Sequence, residues 1–183
     1  MSSHEASIPN GANDDFVACV AGLAPGGAVA KLRDARGEVA RYTQGSHDAL
    51  FAPHATELTL TERLAAACYA ARLSSAPEAA HAYGERLRAS GASADAALAL
   101  LGAIEADGIE TALGTAGHTR LAAILLHTHV LIMLGDQAGK AALARLQKAG
   151  LSTRAIVALA QLVSFVAYQV RVISALRALE AKA

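Results

Sequence analysis

The sequence predicts an all-α domain, and three observations carry that expectation. Alanine is the commonest residue, 46 of 183, and it has the highest intrinsic helix propensity. Aromatic residues are scarce at 4%, with no tryptophan. Ser/Thr-x-x-Glu spacings and Gly or Pro breaks recur where helices would start and stop. A chain of this length suits one domain, able to bury roughly 70% of its surface.

In chain order, residues 1–14 read as a polar tail. Short helices follow around Phe16–Leu23, Ala28–Arg36 and Glu38–Phe51, broken at Pro25-Gly26-Gly27 and at Pro53. Residues 15–56 thus form leader helices to a core of residues 57–183, all within a single domain 15–183. Thr59 and Glu62 have the spacing of a capping box, in which hydroxyl and carboxylate satisfy free amides at a helix start, so a helix is expected over Thr61–Leu73. Ser75-Ala76-Pro77-Glu78 repeats the spacing, with proline tolerated in the first turn, and opens a helix to about Ser90. Ser93 is expected to cap a helix over about Ala94–Glu105. Between Asp107 and Gly117, glycine and threonine interrupt the pattern, which reads as a loop or frayed turn. Arg120–Leu134 is apolar on every side and Ala138–Lys148 is amphipathic. Gly150 then precedes a last helix from Leu151-Ser152 to about Glu180. Superposing Leu58-Thr59 on Leu151-Ser152, an offset of 93 residues, aligns two Ala-rich helices and indicates a possible internal helical repeat. Glu62 then falls on Ala155 and His81 on Ser174, so their chemistry would exist in one copy.

Charge removes several function classes. Sixteen Lys plus Arg balance sixteen Asp plus Glu, so the basic field that nucleic-acid binding needs is missing. Hydrophobic residues reach 54%, charged residues 17%, and mean hydropathy is +0.33. One small core would not absorb this much apolar surface, so a homo-oligomer is expected, a dimer or trimer assembled through its apolar helices. Cys19 and Cys68 form no disulfide framework or zinc set, which fits a reducing cytoplasm. The N-terminus lacks the basic start and apolar run of a signal peptide. Ile156–Ile173 contains Gln161, Ser164, Tyr168, Gln169 and Arg171, so it reads as a buried helix and not as a membrane span. No cofactor and no metal are expected.

The segment LTLTERLAAACYAARLSSAPEAAHAYGERLRASGAS resembles the core motif of the carboxymuconolactone decarboxylase and alkylhydroperoxidase D-like superfamily. Downstream, AALARLQKAGLSTRAIVALAQLVSFVAYQVRVISALRAL resembles the region that closes the domains of its peroxidase-related branch, so the likeness spans Asp48 to Leu179. It implies an alkylhydroperoxidase D-like helical domain. In thiol-peroxidase members a helix-borne Glu precedes a C-x-x-C at the start of the next helix, with a His four residues after the second Cys. Glu62 and His81 match that Glu and His at the 19-residue separation, whereas Ser74 and Pro77 stand where the resemblance places the cysteines. Peroxide reduction in that branch needs a thiolate and a resolving thiol, so an antioxidant dithiol cycle is not expected here. Decarboxylase-type members carry a Glu four residues before the His; here Pro77 holds that place and Glu78 lies three before His81.

What remains is Glu62 and His81 as a candidate catalytic acid/base pair from adjacent helices. Against it stand Glu62 as the third residue of a capping box and His81 as a core histidine. Cys68, about 240° around the helix from Glu62, reads as a buried inert thiol. His127 and His129 are about 200° apart and cannot share one metal. The resemblance makes His127, Tyr168 and Arg171 candidate pocket residues. The alternatives are an interhelical hydrogen bond for His127, and for Tyr168, Gln169 and Arg171 a buried polar network holding helices in register. Three functions follow: a peroxidase-related protein without thiol chemistry, a cysteine-independent acid/base enzyme acting on a small lactone or carbonyl compound, and a non-catalytic oligomeric binding module.

Overall fold

Nine consecutive residues, Arg63–Ala71, are buried in one helix, a pattern possible only where other helices surround it. Its alanines allow that enclosure, because small side chains let neighbouring helices approach closely on every side. In the computed structural model, which describes residues 15–53, 56–91, 93–116, 119–135 and 138–182, the chain is all-α. The polar tail expected over residues 1–14 lies outside the described residues. Among the described residues there are ten helices and no strand: α1 (Phe16–Ala21), α2 (Ala28–Asp34), α3 (Gly37–Phe51), α4 (Leu60–Leu73), α5 (Pro77–Arg88), α6 (Ala94–Asp107), α7 (Ile109–Ala116), α8 (Arg120–Met133), α9 (Lys140–Lys148) and α10 (Thr153–Glu180).

The central helix, α4, forms an antiparallel hairpin with α5 and packs also on α8, α10 and α6. Two buried or half-buried arginines set its neighbours. Arg63, 1% exposed, donates to the carbonyls of Leu50 (2.5 Å), Ala52 (2.8 Å), Pro53 (3.2 Å) and Thr59 (3.4 Å), which binds the end of α3 to the start of α4. Arg120, the first residue of α8, reaches Glu62 on α4 and the carbonyls of Gly150 and Glu57, so α4, α8 and α10 all start at one end of the domain.

Local signals hold at several ends. Thr59 and Glu62 form the complete capping box of α4. Ser152 caps α10 through Ala155 N–H at 3.1 Å, and Gly150, at φ 84°, turns the chain out of α9. Ser75 does not cap α5, however. It sits at φ 53° and closes α4 in a Schellman arrangement, Ser75 N–H bonding Arg72 O and Ala76 N–H bonding Ala71 O. α5 therefore starts from Ala76 with no side-chain cap and with Pro77 in its first turn. A side chain in the left-handed region costs about 1 kcal/mol that glycine avoids. Ser75→Gly is accordingly expected to raise stability by about 0.5–1 kcal/mol, read as a higher urea midpoint.

Other expectations are corrected by packing. Ser93 takes helical angles and makes no capping bond through its side chain. The stretch expected to be a loop is mostly α7, because Ile109, Ala112 and Leu113 lie on one helical face against the core and outweigh the weak local propensity. The leader helices contribute to the core through Phe16 and Val17 of α1 and Phe51 of α3. Leu58 and Leu151 are both buried just before capped helix starts, but the likeness ends there. The break at residues 74–76 corresponds to uninterrupted helix within α10, so the offset of 93 pairs one helix and not a two-helix unit.

By length and composition α10 could cross a membrane, yet half of its most apolar window is buried in the fold. Its outer face leaves Val157, Tyr168 and Leu179 exposed.

Candidate functional site

Glu62 is held by structure on both oxygens. Oε2 accepts from Thr59 N–H at 2.8 Å, and Oε1 takes the Arg120 Nε at 2.7 Å. His81 lies elsewhere. The hydroxyls of Thr61 and Ser90 meet at one end of the α4/α5 hairpin (3.2 Å), while Cys68 Sγ meets Ala80 O further along (3.4 Å). His81 therefore stands about two helical turns, on the order of 10 Å, from Glu62 along α4. The expected Glu62–His81 pair is not formed, because the antiparallel hairpin puts the third residue of α4 opposite the end of α5 and not opposite its second turn.

His81 is exposed on the wall of an open-mouthed cavity of about 710 Å³ lined by α4, α5, α6, α7 and α8. Glu62 does not line it. Facing into the same space are Tyr69 and His129, with Tyr69 Oη 3.0 Å from His129 Nδ1 and the rings 6.2 Å apart. Parallel running of α4 and α8 brings them together, since each lies two turns or more beyond the Glu62–Arg120 contact. Burial pushes the Tyr69 phenol up to about 12, so it remains a hydroxyl at neutral pH. Depending on which partner donates, His129 presents Nε2 as acceptor or as donor. The cavity's two arginines are already matched: Arg72 bonds Glu105 at 3.0 Å, and Arg88 pairs with Glu85.

The positions where the sequence resemblance places two thiols divide between the two helices. Ser74 ends α4, and Pro77 opens α5 on the cavity rim. Cys68 is fully buried behind that wall, and desolvation raises its thiol pKa, which keeps it protonated and inert. Cys19 is exposed on α1.

The other candidate pocket residues lie away from this cavity. His127 is buried on a different face of α8, as the 200° separation from His129 requires. Its Nδ1 has no hydrogen-bond partner, and burial, then the charge of Arg145, lowers its pKa. Tyr168 is exposed and meets Thr43 Oγ1 at 3.3 Å. Arg171 turns back on its own helix to Ala167 O. Both lie on the outer side of α10, so neither borders the cavity. Among the described residues no group of three metal-ligating side chains converges.

A buried polar network does exist, but through Gln169 and not through its neighbours. His47 on α3, 3% exposed, is 2.5 Å from Arg86 Nη1 through Nε2 and 3.3 Å from the Gln169 carboxamide nitrogen through Nδ1. Tyr83 Oη lies 2.5 Å from the other end of that carboxamide. A guanidinium can only donate, so Nε2 accepts and the neutral ring keeps its proton on Nδ1. The carboxamide serves that proton through its oxygen when turned over, its NH2 then facing Tyr83. Desolvation first, then the Arg86 charge, pushes the His47 pKa down to about 3 against the opposing Gln169 hydrogen bond. Phe16 stacks on the imidazole at 4.3 Å. This network knits α3, α5 and α10 together and opens on no part of the cavity lining.

Sequence reasoning thus missed Tyr69 and weighed His129 only as a metal ligand. The available signal was Tyr69 and Arg72, three apart and therefore on one face of an otherwise alanine-rich helix. No family model, no curated protein and no solved structure matches this chain.

Proposed function

We propose that this chain is an alkylhydroperoxidase D-like protein without thiol chemistry, whose cavity performs cysteine-independent acid/base work on a small lactone or carbonyl compound. One observation carries the reading: the Tyr69–His129 pair and His81 open on one cavity whose two arginines are already neutralised by glutamates. The volume falls in the usual range for small-molecule sites. Support for the family comes from the α4/α5 junction, where Ser74, Pro77 and His81 hold the places that the motif gives to two thiols and a histidine.

A phenol bonded to Nδ1 of an imidazole leaves Nε2 to remove a proton from carbon beside a carbonyl when Nδ1 carries hydrogen. The same nitrogen returns a proton when Tyr69 donates. His81 supplies the second transfer or the donor to a carbonyl oxygen. In D2O, proton NMR of γ-lactone carboxylates and β-keto acids is expected to show exchange or CO2 loss above background. His129→Gln and His81→Gln should each lower kcat by about 100-fold, and the Cys19→Ala, Cys68→Ala double variant should match wild type there. That double variant should also match wild type in a dithiol-driven peroxide assay. Inertness of wild type toward the whole panel, or full activity of His129→Gln, overturns the acid/base reading.

The protein works as a cytoplasmic homodimer or homotrimer in this proposal, with exposed Val157, Tyr168 and Leu179 of α10 as the apolar surface to be covered. A monomeric mass by light scattering at micromolar concentration overturns the assembly. The same surface is what favours a non-catalytic oligomeric module as the second reading.

A further inference from the structure

We propose that the slot between α7, α8 and α9 is a second binding site, for a small amphipathic carboxylate, independent of the cavity that holds His129. The slot encloses about 390 Å³. Its walls are apolar, with Leu113 on α7 and Leu126 on α8. Its room comes from small residues, Gly114, Ala122 and Ala123, where larger side chains would fill it. An apolar slot of this size suits an alkyl chain.

Charge decides the other end of the ligand. Arg145 and Lys148 lie one turn apart on α9 and both line the slot, while among the described residues no acidic side chain does. Neither forms an ion pair with a described carboxylate, unlike Arg72 and Arg88 in the larger cavity. Two cations at the edge of an apolar slot match a carboxylate head group joined to a hydrocarbon tail, the arginine binding through its fork and the lysine as a point charge. A neutral alcohol of the same length would leave both cations unmatched, and a bare anion would leave the apolar walls wet. Behind the slot, His127 feels the Arg145 charge. A bound carboxylate would offset that charge, giving a second readout.

The test is calorimetric titration of the full chain with decanoate, below its micellar concentration. One-to-one binding is expected, with decanol and acetate at least about tenfold weaker. Arg145→Gln with Lys148→Gln should weaken decanoate about tenfold or more, since both charge-assisted contacts to the head group are lost. Both side chains are exposed, so the variant should retain its fold, checked by circular dichroism. The His127 ring resonances should titrate at higher pH in the decanoate complex. His81→Ala and Tyr69→Phe should leave decanoate affinity unchanged, which separates this site from the acid/base cavity. Equal affinity in the charge-neutralised variant, equal binding of decanol, full competition by inorganic phosphate, or loss of binding in His81→Ala each overturns the proposal.

Discussion

Replacing Arg63 by methionine is expected to destabilise the protein by about 3 kcal/mol or more, the largest single loss from any polar side chain in the fold. Methionine fills similar space and keeps the helix propensity of α4. It supplies no donors, however, and the carbonyls of Leu50, Ala52 and Pro53 would lose the N–H groups that now satisfy them. The guanidinium charge also opposes the partial negative charge at the end of α3, a favourable contact that methionine removes. Arg63→Lys retains the charge but reaches fewer carbonyls from one nitrogen, so an intermediate loss is expected. Urea unfolding with an unchanged slope is the measurement. A loss below about 1 kcal/mol for the methionine variant would show that water replaces the guanidinium at those carbonyls.

Acid should weaken the fold well before its carboxylates are protonated. The His47 pKa is lowered from its ordinary 6.5 to about 3 in the folded chain, so the unfolded chain takes up a proton that the folded chain refuses. Stability owed to neutral His47 is therefore complete above about pH 6.5 and is lost as pH falls, at up to about 1.4 kcal/mol per unit, until the folded pKa is reached. The accumulated loss near pH 3.5 is on the order of 4 kcal/mol. His127, lowered by burial and by Arg145, acts in the same direction. Unfolding free energies at pH 7, 6, 5 and 4 should decline steeply in wild type and less steeply in His47→Gln, which has no proton to gain. Parallel profiles for the two proteins would mean that His47 titrates normally.

Several helix starts and stops were legible because their cause lies within about four residues. Thr59 and Glu62 form the capping box that their spacing implies, Ser152 caps α10, and Gly150 ends α9. Ser75 shows where that reading stops. The same four residues fit a start for α5 and an end for α4, and the end prevails because Ser75 adopts the left-handed angles that let Ala76 N–H bond back to Ala71 O. Similarly, α7 forms because its apolar face finds a core to cover, a reward that no local propensity records.

By itself, then, the sequence determined an all-helical chain of balanced charge, with the caps of α4 and α10, and without thiols at the α4/α5 junction. Only the tertiary structure decided which polar groups meet. Glu62 bonds Arg120 across 58 residues and not His81 across 19. Tyr69 finds His129 across 60, and His47 approaches Gln169 across 122. Caps depend on backbone hydrogen bonds that close within a turn, so spacing in the chain is spacing in space. Contacts across a cavity depend instead on how far each helix is rotated and slid against its neighbours. In a bundle centred on alanine, that rotation and slide come from the summed packing of many near-identical small side chains, none of which marks its partner in the sequence.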